Sequence, residues 1–353
     1  MKIVFVVPEI SKTGGMRIIF EYANRLQSNG HDVTVVSSIV PFNPYKGEFK
    51  WFYFKYRIRY ALDFLKNKIE KPENLFKVNF KIKYIPYPSK IFLPQADIYI
   101  ATSWTSSFLV DKLSSKSKKF YLVQDYEIWN SNKKLVDESY TLPLKKIVVS
   151  TYLKNLLKNK FNEDSDVVLN GIDFTKFDNP QKNSFSVKTI LLMDHSLENK
   201  NVKDALKIVN RVHKKFPEIK FICFGKSKYS QIPEFVKFYE NPSDEVIASL
   251  YKQSDIFLFT SLQEGFGLPP AEAMACKCAV VGYNTAALPD FSINGESAML
   301  CEAGDVDALY NDVNLLIKDD NLLRRISMNG YEHVKKILDW KKSYSEFEKI
   351  ILS

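Results

Sequence analysis

Short apolar runs of strand length alternate along this chain with longer segments rich in good helix formers. The elements that this pattern predicts at the amino terminus are a strand over 2–7, a loop at Gly14-Gly15, a helix over 16–28 and a strand over 32–37. Further strands are predicted over 98–101, 120–123, 146–149, 189–193, 219–224, 255–259 and 279–282. Such alternation is typical of α/β proteins with parallel sheets.

The length of the chain indicates two domains. A chain of 353 residues is long for one hydrophobic core and short for three. We therefore expect Rossmann-like domains over 1–168 and 169–338, each with its own parallel sheet. A final helix is predicted over 339–353. Hydrophobic residues at 45% and charged residues at 26% are typical of a globular protein.

A glycine-containing turn between a predicted strand and a predicted helix is the most informative chemical feature. The strand over 255–259 is followed by Gly265 and Gly267 and then by good helix formers over 271–276. Amide N–H groups at such a helix start suit a diphosphate, because they have no partner within the helix. Glu264 before the turn and Glu272 about two helical turns beyond could accept hydrogen bonds from hydroxyls on either side. The alternative is an ordinary helix start with an exposed Glu.

The segment Glu264-Gly265-Phe266-Gly267-Leu268-Pro269, together with Glu272, resembles the E-x7-E element of retaining GT-B glycosyltransferases, especially glycosyltransferase family 4. The resemblance implies two Rossmann-like domains that face a central cleft, with the final helix packing back on the first. It places Glu264 by the donor sugar and Glu272 at the nucleotide ribose. It also implies that the pyrophosphate is held by the turn amides, which belong to Gly265, Phe266, Gly267 and Leu268.

The resemblance also implies cations for the departing diphosphate in the loop that follows the first strand of the second domain. Lys200 matches the family's Lys, but His195 stands where an Arg is usual, and an imidazole supplies less charge than a guanidinium. Gly225 ends a strand where the nucleobase commonly lies. The alternatives are a solvated Lys200 and a glycine that merely ends a strand.

Two elements of the first domain are candidates for substrate contact. Gly14 and Gly15 resemble the family's glycine loop, whose backbone approaches the donor phosphate or the acceptor, although a tight turn before a helix is the simpler alternative. The segment 121–129 lacks the His that many members place near the anomeric carbon. Gln124, Asp125 or Glu127 would replace it. We favour Asp125 as an acceptor-orienting group or base, with a helix-capping or turn role as the alternative.

The net charge of +9 is confined to the first 169 residues, which hold 27 Lys and Arg against 16 Asp and Glu. Within them, residues 49–60 interleave aromatic and basic side chains. This composition suits an anionic membrane surface or an anionic acceptor. An amphipathic element whose rings fill the core is an equal alternative. A nucleic-acid partner is not expected, because no recognition motif accompanies the charge.

We expect a cytoplasmic protein, with possible association at the cytoplasmic face of a membrane, because the sequence has neither a basic leader nor an apolar run of membrane-spanning length. The four cysteines are expected to be free thiols. No cofactor and no metal are expected, since Lys200 and the helix start could neutralise a diphosphate without Mg²⁺.

These features favour a hexosyl-type glycosyltransferase that uses a nucleoside diphosphate sugar and a glycan or lipid-linked acceptor, with retention, in surface polysaccharide synthesis. One alternative is a sugar-nucleotide epimerase or hydrolase on the same fold. The other is a sugar-nucleotide-binding subunit without catalytic activity.

Overall fold

The computed structural model describes residues 1–42, 51–66, 71–128, 132–180, 182 and 188–353, except for the side chains of Phe52 and Tyr53. The chain forms two compact units. The first unit comprises Met1–Leu169 and Tyr344–Ser353, and the second comprises Asn170–Ser343.

The first unit is built on a seven-stranded parallel sheet in the order β3-β2-β1-β4-β5-β6-β7. Its strands are β1 (Lys2–Val6), β2 (Asp32–Ser38), β3 (Lys81–Ile85), β4 (Ile98–Ala101), β5 (Lys118–Val123), β6 (Lys145–Val148) and β7 (Ser165–Val167). The helices of its Met1–Leu169 segment are α1 (Gly14–Ser28), α2 (Trp51–Leu65), α3 (Pro72–Leu75), α4 (Trp104–Asp111), α5 (Lys133–Tyr140) and α6 (Thr151–Phe161).

The second unit is built on a six-stranded parallel sheet in the order β10-β9-β8-β11-β12-β13. Its strands are β8 (Thr189–Met193), β9 (Lys220–Gly225), β10 (Val236–Glu240), β11 (Ile256–Phe259), β12 (Ala279–Tyr283) and β13 (Met299–Cys301). Its helices are α7 (Phe174–Phe177), α8 (Val202–Lys215), α9 (Asp244–Gln253), α10 (Leu268–Ala275), α11 (Leu288–Phe291), α12 (Val306–Lys318) and α13 (Asp320–Ile337). A last helix, α14 (Trp340–Leu352), begins in this unit, and its residues from Tyr344 belong to the first.

The expected α/β class with two parallel Rossmann-like sheets is confirmed. The central strands read as continuous apolar runs because both faces of each sheet are covered, and every residue of β4, β11 and β12 is buried. The sequence pattern missed four strands, β3, β7, β10 and β13. Polar residues interrupt the apolar pattern of the partly buried β3, β7 and β10, and the apolar β13 is only three residues long.

The prediction of a loop at Gly14-Gly15 was wrong, because both glycines lie in the first turn of α1. Thr13 is the N-cap of this helix, and its hydroxyl accepts a hydrogen bond from the amide of Met16 at 3.3 Å. The capping Thr lets the helix start at the glycines despite their low helix propensity.

The residues of α14 that belong to the first unit are held there by aromatic stacking and by a hydrogen-bond network. The Phe347 ring is fully buried and stacks on the Tyr22 ring with centroids 4.1 Å apart. The Glu348 carboxylate accepts a hydrogen bond from Asn29 at 2.6 Å and lies 3.0 Å from His31 Nε2. The carboxyl-terminal segment is therefore part of the core of this unit.

None of the helices within the described residues combines the length and the apolar character needed to cross a bilayer.

Replacing Phe347 with Ala is expected to destabilise the first unit by about 3–5 kcal/mol, because the substitution leaves a cavity beside Tyr22. Urea unfolding followed by circular dichroism measures the loss. Leu352→Ala on the same helix is the control, since Leu352 is 37% exposed and its truncation should cost only about 0.5 kcal/mol. Equal unfolding midpoints for the two variants would show that α14 does not contribute to this core.

Candidate functional site

The order of the second sheet indicates where a ligand would bind. Strands β8 and β11 are neighbours, and the chain leaves them toward opposite sides of the sheet. Ligands of open α/β sheets bind at such a switch point, beyond the carboxyl ends of the strands. The loops that leave β8 and β11 there are residues 194–201 and 260–267.

The glycine turn after β11 leaves its backbone donors free. Gly267 precedes α10 with a φ of 89°, a left-handed conformation that favours glycine, and no side chain caps the helix. The amide N–H groups of Gly265, Phe266, Gly267 and Leu268 make no hydrogen bond within the described residues. Pro269 and Pro270 have no N–H, so the free donors are concentrated in the turn itself. This arrangement suits an anion.

The carboxylate of Glu264 is buried and paired. Only 6% of the residue is exposed. Its Oε1 accepts a hydrogen bond from the Ser261 hydroxyl at 2.7 Å and lies 3.1 Å from the Lys200 Nζ. The structure thus brings together two residues that the sequence analysis selected 64 positions apart, one from each loop.

Asn199 ties the two loops to each other. Its carbonyl accepts a hydrogen bond from the Leu262 amide at 2.8 Å, and its side-chain amide donates to the Gln263 carbonyl at 2.9 Å. The Lys200 carbonyl in turn accepts a hydrogen bond from the Thr260 hydroxyl at 3.4 Å. These contacts fix the separation of the Lys200 and Glu264 backbones. Sequence reasoning missed Asn199 and Ser261, because neither has a distinctive spacing.

A second hydrogen-bond network holds the loop that follows β8. Asp204 of α8 is buried and accepts hydrogen bonds from the Asn201 side chain at 2.6 Å and from the Tyr283 hydroxyl of β12 at 2.9 Å. Asn201 has a φ of 49°, so this bond holds a left-handed residue directly after Lys200.

His195 is neutral in the folded protein near pH 7. Burial and the neighbouring Lys200 charge lower the pKa of its imidazole. The His195 Nδ1 accepts a hydrogen bond from the Leu197 amide at 3.1 Å, which leaves Nε2 as the protonated nitrogen. The residue therefore offers one N–H donor rather than a positive charge.

Gly225 permits a close contact between the ends of β8 and β9. A Cβ atom at this position would lie 2.8 Å from the Asp194 carbonyl oxygen. The buried Asp194 carboxylate accepts hydrogen bonds from the amides of Tyr229 and Ser230 at 2.7 and 3.0 Å, and from the Ser230 hydroxyl at 2.7 Å. Asp194 thereby fixes the loop that follows β9.

Glu272 lies in α10 and is 7% exposed. It neighbours Tyr251 of α9. Burial is the main cause that raises the pKa of the Tyr251 phenol, and the negative charge of Glu272 is the second cause. The structure thus surrounds Glu272 with protein on at least this side.

In the first unit, the loop that follows β5 carries two carboxyl groups. The Asp125 Oδ1 accepts a hydrogen bond from the Tyr126 amide at 2.7 Å. Burial, with the charge of Asp125 as the second cause, raises the pKa of Glu127 from 4.5 to about 8. Glu127 therefore titrates close to physiological pH. Gln124 from the same loop lies beside Gly15, where a Cβ atom would meet its amide at 3.4 Å.

The aromatic and basic stretch forms α2 from residue 51, while Phe49 and Lys50 fall outside the described residues. Its rings do not all fill a core, since Trp51, Phe54 and Tyr56 are between 41% and 58% exposed. Across the described parts of the chain, no group of three His, Cys, Asp or Glu side chains is placed to hold a metal ion.

Comparison with known proteins gives consistent matches. Residues 174–333 match the family model of the glycosyl transferases group 1. The N-acetyl-alpha-D-glucosaminyl L-malate synthase of Bacillus anthracis is 33% identical over 104 residues, which are 30% of this chain and 27% of that protein. The capsular polysaccharide biosynthesis glycosyltransferase CapM of Staphylococcus aureus is 24% identical over 227 residues, covering 57% of this chain and 60% of that protein.

The fold of the whole chain is also found among solved structures. Anabaena HepE in complex with UDP and glucose superposes with a TM-score of 0.76 at 14% identity, covering 100% of this chain and 99% of that one. The alignments to the two curated relatives span about a quarter and three fifths of their lengths. The sequence likeness is thus partial, whereas the likeness in fold extends over both units.

The raised pKa of Glu127 predicts a pH-dependent loss of stability. In the unfolded chain the carboxyl has its ordinary pKa, so between pH 4.5 and about 8 the unfolded state gives up this proton first, and rising pH favours unfolding. Glu127→Gln should therefore raise the melting temperature at pH 8 relative to the wild type by about 2–4 °C for each ~1 kcal/mol gained. The gain should shrink at pH 5.

Thermal unfolding at the two pH values measures this difference, and Glu138→Gln on the exposed surface of α5 is the matched control. A gain that is the same at pH 5 and pH 8 would show that Glu127 is ionised in the folded protein.

Proposed function

We propose that this chain, in which residues 174–333 match the family model of the glycosyl transferases group 1, transfers a sugar from a nucleoside diphosphate sugar to the hydroxyl group of an acceptor. The observation that carries the proposal is the ion pair of Lys200 with the buried Glu264, beside the amides of residues 265–268, which make no hydrogen bond within the described residues. A cation and a row of free N–H donors suit a diphosphate, and an adjacent carboxylate suits sugar hydroxyls.

In this proposal the turn amides and Lys200 hold the diphosphate, and His195 donates one hydrogen bond through Nε2. Positive charge at this point stabilises the departing nucleoside diphosphate, on which negative charge accumulates as the glycosidic bond breaks. Glu264 accepts hydrogen bonds from hydroxyls of the transferred sugar, and Glu272 accepts hydrogen bonds from the ribose hydroxyls of the nucleotide. The loop fixed by Asp194 after β9 is the proposed contact of the nucleobase.

The reaction that we propose retains the anomeric configuration. The acceptor oxygen forms a bond to the anomeric carbon as the bond from that carbon to the diphosphate oxygen breaks, on the same face of the sugar. The acceptor proton passes to the departing diphosphate, so no protein nucleophile is required. Lys200 and the amides supply the positive charge, and the proposal includes no metal ion and no cofactor.

The acceptor is proposed to be a glycan or a lipid-linked molecule bound by the first unit. The supporting residues lie at the carboxyl end of its sheet, where Gly15 neighbours Gln124 and where Asp125 and Glu127 follow β5. Asp125 and Glu127 are proposed to orient the acceptor hydroxyl. The likeness to a capsular polysaccharide biosynthesis glycosyltransferase supports a role in surface polysaccharide synthesis.

Glu264→Gln is expected to lower kcat for transfer by about 100-fold or more while binding of the nucleoside diphosphate changes less than about threefold. The amide keeps the shape of the side chain but loses the charge that accepts the sugar hydroxyls and pairs with Lys200. Steady-state transfer and calorimetric titration measure the two effects.

Glu296→Gln, an exposed change in the same unit, is the control for the loss of one negative charge. Unchanged transfer in Glu264→Gln would exclude Glu264 from the site. Release of nucleotide that is independent of added acceptor would instead favour an epimerase or hydrolase, and no turnover with retained binding would favour a binding subunit.

His195→Arg is expected to tighten binding of the nucleoside diphosphate about tenfold, since one hydrogen bond from a permanent cation to a phosphate is worth roughly 1.5–3 kcal/mol. The comparison variant is His333→Arg, which adds the same charge in α13. If the two substitutions change the dissociation constant equally, position 195 does not contact the diphosphate.

A further inference from the structure

Helix α2 presents an apolar stripe to solvent. Five large side chains recur at helical spacing along one face and are between 41% and 68% exposed. They are Trp51, Phe54, Ile58, Leu62 and Leu65. A surface helix normally turns such a stripe toward the core, so an outward stripe marks a binding surface.

Part of this stripe forms one wall of a groove of about 390 Å³. Phe54, Ile58 and Leu62 line it from α2, and Val40 and Tyr87 line it from the segments that follow β2 and β3. The walls are almost entirely apolar, which suits a hydrocarbon chain.

One cation lies in the wall of this groove without a hydrogen-bond partner. The Nε and Nη2 atoms of Arg57 are buried and make no hydrogen bond in the part of the chain that the structure describes. The guanidinium lies 5.4 Å from the centre of the Tyr87 ring. Buried donors without partners are costly, and a guanidinium fork matches the oxygens of a phosphate.

The groove lies at the edge of the sheet where the acceptor is proposed to bind. Val40 and Tyr87 follow the carboxyl ends of β2 and β3, and in a parallel sheet these ends share one edge with the ends of β1 and β5. The Tyr56 hydroxyl of α2 also donates a hydrogen bond at 3.2 Å to Glu9, in the loop that leads from β1 to α1.

We infer that this groove binds the phosphate and the first part of the hydrocarbon chain of a lipid-linked acceptor. The apolar walls bury the chain, and Arg57 pairs with the phosphate. The inference rests on the proposed function, since it names the class of acceptor for the transfer reaction. Exposed Lys55 near the same face adds attraction for an anionic lipid.

The probe is dodecyl phosphate below its critical micelle concentration. Dodecanol and inorganic phosphate, which represent its hydrocarbon half and its phosphate half, are the comparison ligands. The wild type is expected to bind dodecyl phosphate at least tenfold more tightly than either half. Leu62→Glu should weaken this binding at least tenfold. Arg57→Gln should bind dodecyl phosphate and dodecanol about equally.

Leu315→Glu is the matched control, because Leu315 is 47% exposed in the second unit and Leu62 is 48% exposed in α2. It should bind the probe like the wild type. Equal binding of dodecyl phosphate by the wild type, Leu62→Glu and Arg57→Gln would overturn the inference. Binding to vesicles that contain phosphatidylglycerol, with none to the monomeric probe, would also overturn it in favour of a membrane surface.

Titration of the nucleoside diphosphate that raises the melting temperature most into the same variants separates this inference from the proposed function. Donor binding that persists while all probe binding is absent would refute the lipid groove alone. Loss of both in the wild type would refute the proposed function as well.

Discussion

The ion pair between the half-buried Lys200 and the buried Glu264 is the interaction on which the candidate site depends. Two charges removed from water are tolerated when they are close to each other and further hydrogen-bonded, and here Ser261 supplies the additional donor to Glu264. The distance of 3.1 Å is set by the Asn199 contacts between the two loops. The same pair places a cation and a carboxylate beside backbone donors that are unbonded within the described residues, a combination that suits a sugar diphosphate.

The topology explains why these groups meet. In each unit the chain starts at a central strand, fills one side of the sheet and returns to fill the other, so two neighbouring strands end at a switch point. The second unit places Lys200 and Glu264 at its switch point. The first unit places Gly15 and the Gln124–Glu127 loop at the corresponding edge, where α2 also contacts the loop after β1. The proposed donor and acceptor sites thus lie at equivalent edges of two similar sheets.

The central strands and the individual polar residues could be predicted from the sequence. The contacts between those polar residues could not. Strands such as β11 and β12 are apolar on both faces, so their pattern is unambiguous, whereas β3 and β10 are half-exposed and were missed. Glu264 and Lys200 could be selected through a family resemblance, but their pairing depends on two loops that are distant in sequence. The raised pKa of Glu127 and the burial of the Arg57 Nε and Nη2 atoms depend on tertiary packing, which no local pattern reveals.

The most direct test of the central claim is a crystal structure with the nucleoside diphosphate that raises the melting temperature most. The account predicts that diphosphate oxygens accept hydrogen bonds from amides of residues 265–268 and that the Lys200 Nζ contacts the same oxygens. A diphosphate bound elsewhere, with the turn amides unoccupied and Lys200 still paired only with Glu264, would contradict it.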